Sequence, residues 1–225
     1  MGTLGRILET GVVAVVRLQS SERLLQVAQA IAAGGVAAIE FTMTTPGAID
    51  TLARASTEMD EGVVLGAGTV LDSPTARAAI LAGARFVVAP TLSRETIETC
   101  HRYDVAVIPG AYTPTEILTA WEWGADLVKV FPATALGPRY FRDVLAPLPQ
   151  VRLVPTGGVD LETAGPFIEA GAAAIAVGSN LVDPRAVAAG DFAALTEKAR
   201  AFRAAVDAAR ATRDAARATL HGRVS

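Results

Sequence analysis

Cysteine and histidine are scarce in this 225-residue sequence. The single cysteine, Cys100, excludes an internal disulfide and is typical of a cytoplasmic protein. Two histidines, His101 and His221, are too few for an imidazole-based zinc site. We therefore expect no zinc-dependent chemistry, although the composition leaves a carboxylate-bound magnesium ion open.

Long apolar runs and an excess of positive charge are also missing. No stretch of about 18 apolar residues predicts a transmembrane helix. The first ten residues predict a short helix and lack the apolar core and cleavage site of a signal peptide. A net charge of -3 gives no electrostatic reason to expect a nucleic-acid partner. We therefore expect neither membrane nor nucleic acid as a partner.

The residues that are abundant predict an α/β protein. The sequence is 51% hydrophobic and 19% charged, which is enough apolar material for a core within one domain, 1–225. Short β-rich runs alternate with amphipathic Ala/Leu-rich segments, which favours a parallel (β/α)8 barrel. A doubly wound sheet is the alternative, weakened because no Gly-x-Gly-x-x-Gly follows the first run. The predicted strands are 12–17, 37–42, 63–67, 86–89, 106–109, 127–131, 152–155 and 174–177.

Helices are predicted between these strands and after the last one. The region from about 191 to 220 is rich in Ala and Arg, and it predicts a last barrel helix with an exposed helical extension at about 205–225. The other predicted helices are 20–33, 47–59, 73–82, 93–103, 114–123, 138–146 and 160–170.

Lys129, one of only two lysines, lies inside the apolar run from Asp126 to Pro132. A buried ammonium group is costly, and the usual response is a lowered pKa. A lysine that is neutral near pH 7 is a nucleophile able to form a Schiff base with a ketone. The alternative is a lysine at a strand end that reaches water or pairs with a carboxylate.

Arg17, Glu40 and Lys129 are three charged residues in or at the ends of predicted strands on the face where the active site of a barrel lies. Lys129 would be the nucleophile and electron sink, Glu40 the proton-transfer group, and Arg17 the clamp for a substrate carboxylate. A structural network of buried ions is the alternative interpretation.

Glycine-containing segments follow the last two predicted strands, at the usual phosphate site of a barrel. Gly157 and Gly158 follow the seventh strand, and Gly178 and Ser179 follow the eighth. Their backbone N–H groups would hold a phosphate. The expected substrate is a phosphate joined to a carboxylate by a short carbon chain.

Five motifs together resemble the 2-keto-3-deoxy-6-phosphogluconate (KDPG) and 4-hydroxy-2-oxoglutarate (KHG) aldolase family, from about residue 5 to 205. They are Gly11–Arg17, Ile39–Thr42, Gly66–Val70, Lys129–Pro132 and Pro155–Val159. The resemblance implies a cofactor-free class I aldolase, a homotrimer of (β/α)8 barrels, that cleaves KDPG to pyruvate and glyceraldehyde 3-phosphate.

The resemblance also implies roles for individual residues. Lys129 matches the Schiff-base lysine and Glu40 the catalytic glutamate. The pyruvate end is implied at Arg17, Thr69, Pro90 and Phe131, and the phosphate end at Thr156, Gly157, Gly158, Gly178 and Ser179.

One departure from the pattern concerns the carboxylate-binding arginine. Some members carry it where this chain has Thr44, and others where it has Arg17, which we expect to take the role. The aldolase for the C4 epimer, 2-keto-3-deoxy-6-phosphogalactonate, also uses the Arg17 position and is an alternative. KHG is a possible further substrate. More remote alternatives are a non-covalent phosphosugar isomerase or epimerase, and a non-catalytic trimeric scaffold.

Overall fold

The computed structural model describes residues 1–221, and its helices and strands alternate as the sequence predicts. The strands are β1 (Val12–Val16), β2 (Ala38–Thr42), β3 (Val64–Gly68), β4 (Phe86–Val88), β5 (Ala106–Ile108), β6 (Gly110–Ala111), β7 (Val128–Val130), β8 (Leu153–Pro155) and β9 (Ile175–Val177). The helices are α1 (Thr3–Thr10), α2 (Leu24–Ala33), α3 (Ala48–Glu58), α4 (Ser73–Leu81), α5 (Arg94–Arg102), α6 (Pro114–Glu122), α7 (Gly137–Leu145), α8 (Leu161–Glu169), α9 (Pro184–Ala189) and α10 (Phe192–His221), with a 3-10 turn at Ala133–Ala135.

Parallel pairing joins the strands into a closed barrel. One set runs in the order β5-β4-β3-β2-β1-β9 and the other in the order β6-β7-β8. A bridge between Thr156 and Ala176 links β8 to β9. At the other junction the chain passes through Pro109 from β5 to β6, which lies just beyond the predicted end of the fifth strand at 109. The Pro109 carbonyl accepts from the Lys129 N–H at 2.9 Å. The predicted (β/α)8 barrel is confirmed, with β5 and β6 as two halves of its fifth strand.

The barrel interior is apolar at its N-terminal end, where α1 closes it. Ile7 of α1 is fully buried among inward-facing side chains, including Val13, Phe86 and Leu127. Alternation along a strand then points every second residue inward. Lys129 follows Leu127 by two positions, and Glu40 follows the buried Ala38 by two, so both face the lumen nearer its C-terminal end.

The C-terminal helix packs further along the barrel than the sequence predicts. Val206 and Ala209 of α10 are buried, so the exposed part begins beyond the expected position 205. The guanidinium of Arg210 donates to the carbonyls of Leu8 and Glu9, each at 2.7 Å. This helix therefore holds α1 in place. The end of the predicted extension, 222–225, lies outside the described residues.

Helix α9 is an element that the sequence did not predict. It has only six residues, too few to show a helical period, and it lies between β9 and α10. Pro184 opens it, and the Asp183 side chain accepts a hydrogen bond from the Arg185 N–H at 2.8 Å. Its N-terminus therefore lies beside the loop that follows β9. Within residues 1–221, no helix is long and apolar enough to cross a bilayer.

Candidate active site

A cavity of about 500 Å³ opens at the C-terminal ends of the strands. All eleven residues predicted for the site line it, namely Arg17, Glu40, Thr69, Pro90, Lys129, Phe131, Thr156, Gly157, Gly158, Gly178 and Ser179. The remaining lining residues are Val15, Val159, Ala176, Asn180, Val182 and Pro184. Residues from most of the strands therefore converge on one space, as expected for the C-terminal face of a barrel.

Lys129 lies in the middle of β7 and is 6% exposed. Burial lowers the pKa of its ammonium group, and the positive charge of Arg17 lowers it further, while the Glu40 carboxylate opposes both effects. Its Nζ lies 4.8 Å from the centroid of the Phe131 ring. Among the described residues it forms no ion pair within 4.0 Å. The alternative interpretation expected a lysine that reaches water or pairs with a carboxylate, and Lys129 differs from both.

Glu40 lies on β2 and is 1% exposed. Burial raises the pKa of its carboxyl group, and the charges of Lys129 and Arg17 work in the opposite direction. Its Oε2 has no hydrogen-bond partner in the described part of the chain. A buried oxygen without a partner is costly to maintain and is left able to act on a ligand.

Gly68 on β3 makes the room that the Glu40 carboxyl occupies. A Cβ at position 68 would lie 2.5 Å from Glu40 Oε1, closer than atoms can pack. The two strands are neighbours in register, with Glu40 opposite Gly66 and Thr42 opposite Gly68. A glycine is therefore required here by the side chain on the adjacent strand rather than by backbone conformation.

The pKa shifts of Lys129 and Glu40 both favour the neutral form of the side chain. Burial favours a neutral amine at Lys129 and a protonated carboxyl at Glu40, because each charged form loses hydration. A neutral amine is a nucleophile, and a carboxyl with a raised pKa can both give and take a proton. The site thus brings a nucleophile and an acid–base group into one water-poor space.

One end of the cavity presents a guanidinium and a hydroxyl. Arg17 directly follows β1, and its Nη2 donates to Thr69 Oγ1 at 3.4 Å. Thr69 has a φ of 57°, a left-handed conformation that is costly for a β-branched residue and is often found at functional sites. Thr44 instead donates to Thr42 Oγ1 at 3.1 Å and is absent from the cavity lining that the structure describes.

The other end of the cavity is formed by backbone from the loops after β8 and β9. Gly157 and Gly158 have φ values of 90° and 74°, so both need the left-handed region that glycine adopts without strain. Thr156 Oγ1 is buried and lacks a partner within residues 1–221. Exposed N–H groups in such loops, beside the N-terminus of a helix, favour an anion.

Asn180, Val182 and Pro184 are lining residues that the sequence interpretation missed. Asn180 directly follows Gly178 and Ser179, so its position in the chain was the available signal. Pro184 belongs to α9, which was not predicted.

Cys100 and His101 both lie outside the cavity lining. Cys100 is buried in α5, where burial raises the pKa of its thiol to about 12, and His101 Nε2 is 3.0 Å from the Gly124 carbonyl. No group of three or more His, Cys, Asp or Glu side chains that could hold a metal ion occurs in the part of the chain that was described.

Comparison with known proteins identifies an aldolase family. The family model described as KDPG and KHG aldolase matches residues 5–198. A 2-dehydro-3-deoxy-phosphogluconate aldolase from Treponema pallidum (strain Nichols) is 38% identical, over 82% of this chain and 88% of that protein. A KHG/KDPG aldolase from Escherichia coli (strain K12) is 33% identical, over 86% of this chain and 92% of that protein.

A solved structure gives the same result. The crystal structure of KDPG aldolase from Legionella pneumophila holds pyruvate captured at low pH as a covalent carbinolamine intermediate. It matches this fold with a TM-score of 0.81 and 27% identity, and the match covers 90% of this chain and 98% of that one.

Proposed function

The chain belongs to the KDPG and KHG aldolase family, and from this premise we propose that it cleaves KDPG to pyruvate and glyceraldehyde 3-phosphate through a Schiff base. The observation that carries the proposal is that Lys129 and Glu40 lie in the same cavity. They are a buried amine with a lowered pKa and a buried carboxyl with a raised pKa, in one cavity.

Lys129 is the nucleophile in this mechanism. Its neutral amine adds to the C2 carbonyl of the substrate, and the carbinolamine takes up a proton from solvent and loses water to give an iminium ion. Glu40 takes the proton of the C4 hydroxyl, the C3–C4 bond breaks, and its electron pair moves toward the iminium nitrogen to give an enamine. The aldehyde leaves, Glu40 returns a proton to C3, and water then releases pyruvate and the free lysine.

The two ends of the cavity orient the substrate. Arg17 holds the C1 carboxylate, since a guanidinium matches a carboxylate in bidentate fashion, and Thr69, Pro90 and Phe131 complete the pyruvate end. The phosphoryl group lies at the loops after β8 and β9, with the residues Thr156, Gly157, Gly158, Gly178 and Ser179. This arrangement places C2 at Lys129 and leaves C4 near Glu40.

A steady-state assay tests the proposal. We expect equal amounts of pyruvate and glyceraldehyde 3-phosphate from the gluconate substrate, with a higher kcat/KM than for its galactonate epimer. The reverse preference would support the galactonate aldolase, and no cleavage of either would refute the proposal. Turnover of 4-hydroxy-2-oxoglutarate, which lacks the phosphate, would establish the broader activity for which the Escherichia coli relative is named.

Assembly and location are part of the same proposal. We expect a homotrimer in the cytoplasm, with the small phosphorylated keto acid as the ligand. Exposed apolar side chains such as Leu71 and Leu81, 60% and 70% accessible in the single chain, provide surface that a neighbouring subunit would cover. Light scattering on the purified protein tests the trimer, and a monomer at micromolar concentration would contradict it.

A further inference from the structure

Asn180 is the only asparagine in the sequence, and it lies on the wall of the cavity. It directly follows Gly178 and Ser179 in the loop after β9. Its side-chain Nδ2 donates to the carbonyl of Val159 at 2.8 Å. Val159 directly follows Gly157 and Gly158 in the loop after β8. One side chain therefore connects the two glycine-containing loops at the anion end of the cavity.

Few other polar contacts hold these two loops together. The strands before them are joined at the bridge between Thr156 and Ala176. Beyond that point, no backbone hydrogen bond of the described chain connects residues 157–159 with residues 178–180. The N–H groups of Leu181 and Val182 donate to the Gly178 carbonyl, within their own loop. In the described chain, the Asn180 bond is thus the one hydrogen bond that joins residues 157–159 to residues 178–180.

The chemistry of this contact needs an amide. A carbonyl acceptor such as that of Val159 requires a donor, which alanine lacks and which an ionised aspartate also lacks. Gly157 and Gly158 carry no side chain that could form such a bond, so a side-chain hydrogen bond between the two loops comes from a neighbouring residue, here Asn180. A site built from N–H groups binds an anion well only when those groups are held in place before binding.

We propose that Asn180 is a positioning residue that sets the spacing of the two loops for a substrate phosphoryl group. This inference rests on the proposed function. It predicts that the residue affects binding of the phosphorylated substrate and leaves the pyruvate end unchanged, because Lys129 and Arg17 lie on other strands.

The test compares Asn180→Ala and Asn180→Asp with Ser93→Ala as the matched control. Ser93 caps α5 by accepting from the Thr96 N–H at 3.2 Å, so its variant also removes a side-chain hydrogen bond to backbone after a barrel strand, outside the cavity lining. For KDPG cleavage we expect Asn180→Ala to raise KM about tenfold, the effect of one lost hydrogen bond, with kcat within about twofold of the parent value. Asn180→Asp, which adds negative charge beside the phosphate, should raise KM further.

Pyruvate provides the reference without a phosphate. The pyruvate concentration that gives half-maximal trapping by borohydride should be the same in the parent, both Asn180 variants and the control. An unchanged KM in both Asn180 variants would overturn the inference. So would equal weakening of pyruvate trapping and KDPG cleavage, since that indicates a general structural defect. Failure of the proposed function is recognised separately, because the parent protein itself would then not cleave KDPG.

Discussion

At the scale of single residues, Lys129 is unusual because it lies where a charge is least stable. Burial disfavours its ammonium form, and Arg17 adds a repulsive positive charge, so its pKa is lowered. The same burial raises the pKa of Glu40. A lysine at this position without a chemical role would be replaced by an apolar side chain at little cost.

The contribution of Arg17 to this electrostatic balance can be measured through pH. Since Arg17 lowers the pKa of Lys129, Arg17→Met should raise it, and the acid limb of the kcat/KM profile should move to higher pH. The same variant should raise KM for the substrate because the carboxylate loses its guanidinium partner. A profile recorded from pH 5 to 9 checks the direction. A shift to lower pH would contradict the assignment, and Arg54→Met, on the exposed face of α3, is the control.

At the scale of elements, a glycine on β3 is needed because of a carboxyl on β2. The Cβ of Gly68→Ala would meet Glu40 Oε1 at 2.5 Å, so the carboxyl must move. We expect loss of roughly 1–3 kcal/mol in the free energy of unfolding and a large fall in kcat. Chemical denaturation and steady-state kinetics provide the two measurements.

Gly62→Ala, in the turn before β3, is the matched control for this substitution. Its Cβ would meet nothing within 4 Å, and Gly62 does not have the positive φ that would strain an alanine. We expect unchanged kcat and a gain in stability of up to about 1 kcal/mol. Equal loss of activity in both variants would contradict a specific role for Gly68.

The sequence encodes the barrel strands more clearly than the contacts between them. Apolar runs predicted each barrel strand because buried parallel strands are apolar along their length. The break at Pro109 was not visible, since it depends on which neighbour each half pairs with. Lys129 and Glu40 were predicted as site residues because charge inside an apolar run is conspicuous. Asn180 was missed because its role depends on a contact with Val159, 21 positions away.

At the scale of the whole molecule, α10 holds α1 against the end of the barrel that lies opposite the cavity. The Arg210 guanidinium donates to Leu8 and Glu9 at the end of α1 and to Ala173 before β9. We expect Arg210→Ala to lower the free energy of unfolding by roughly 1–3 kcal/mol, because partly buried carbonyls lose their donors. Activity per folded molecule should be unchanged, since these contacts lie away from the site.

Thermal and chemical denaturation of Arg210→Ala should be compared with Arg54→Ala. Arg54 forms an exposed pair with Glu58 at 3.6 Å, and its side chain is 67% accessible. Loss of such a pair typically changes stability by less than about 1 kcal/mol. If both variants lost equal stability, the Arg210 contacts between α10 and α1 would not stabilise the fold as we expect.

Trapping of pyruvate on the protein with borohydride, followed by mapping of the adduct by mass spectrometry, tests the Schiff base at Lys129 directly. We expect one reduced adduct, on Lys129. Glu40→Gln should retain trapping of pyruvate while its kcat for cleavage falls by about 10²–10⁴, the usual contribution of an acid–base group. Lys198, the other lysine, pairs with Asp183 at 3.5 Å and should stay unmodified. No adduct, an adduct on Lys198, or full activity after borohydride treatment with pyruvate would contradict the Schiff-base mechanism.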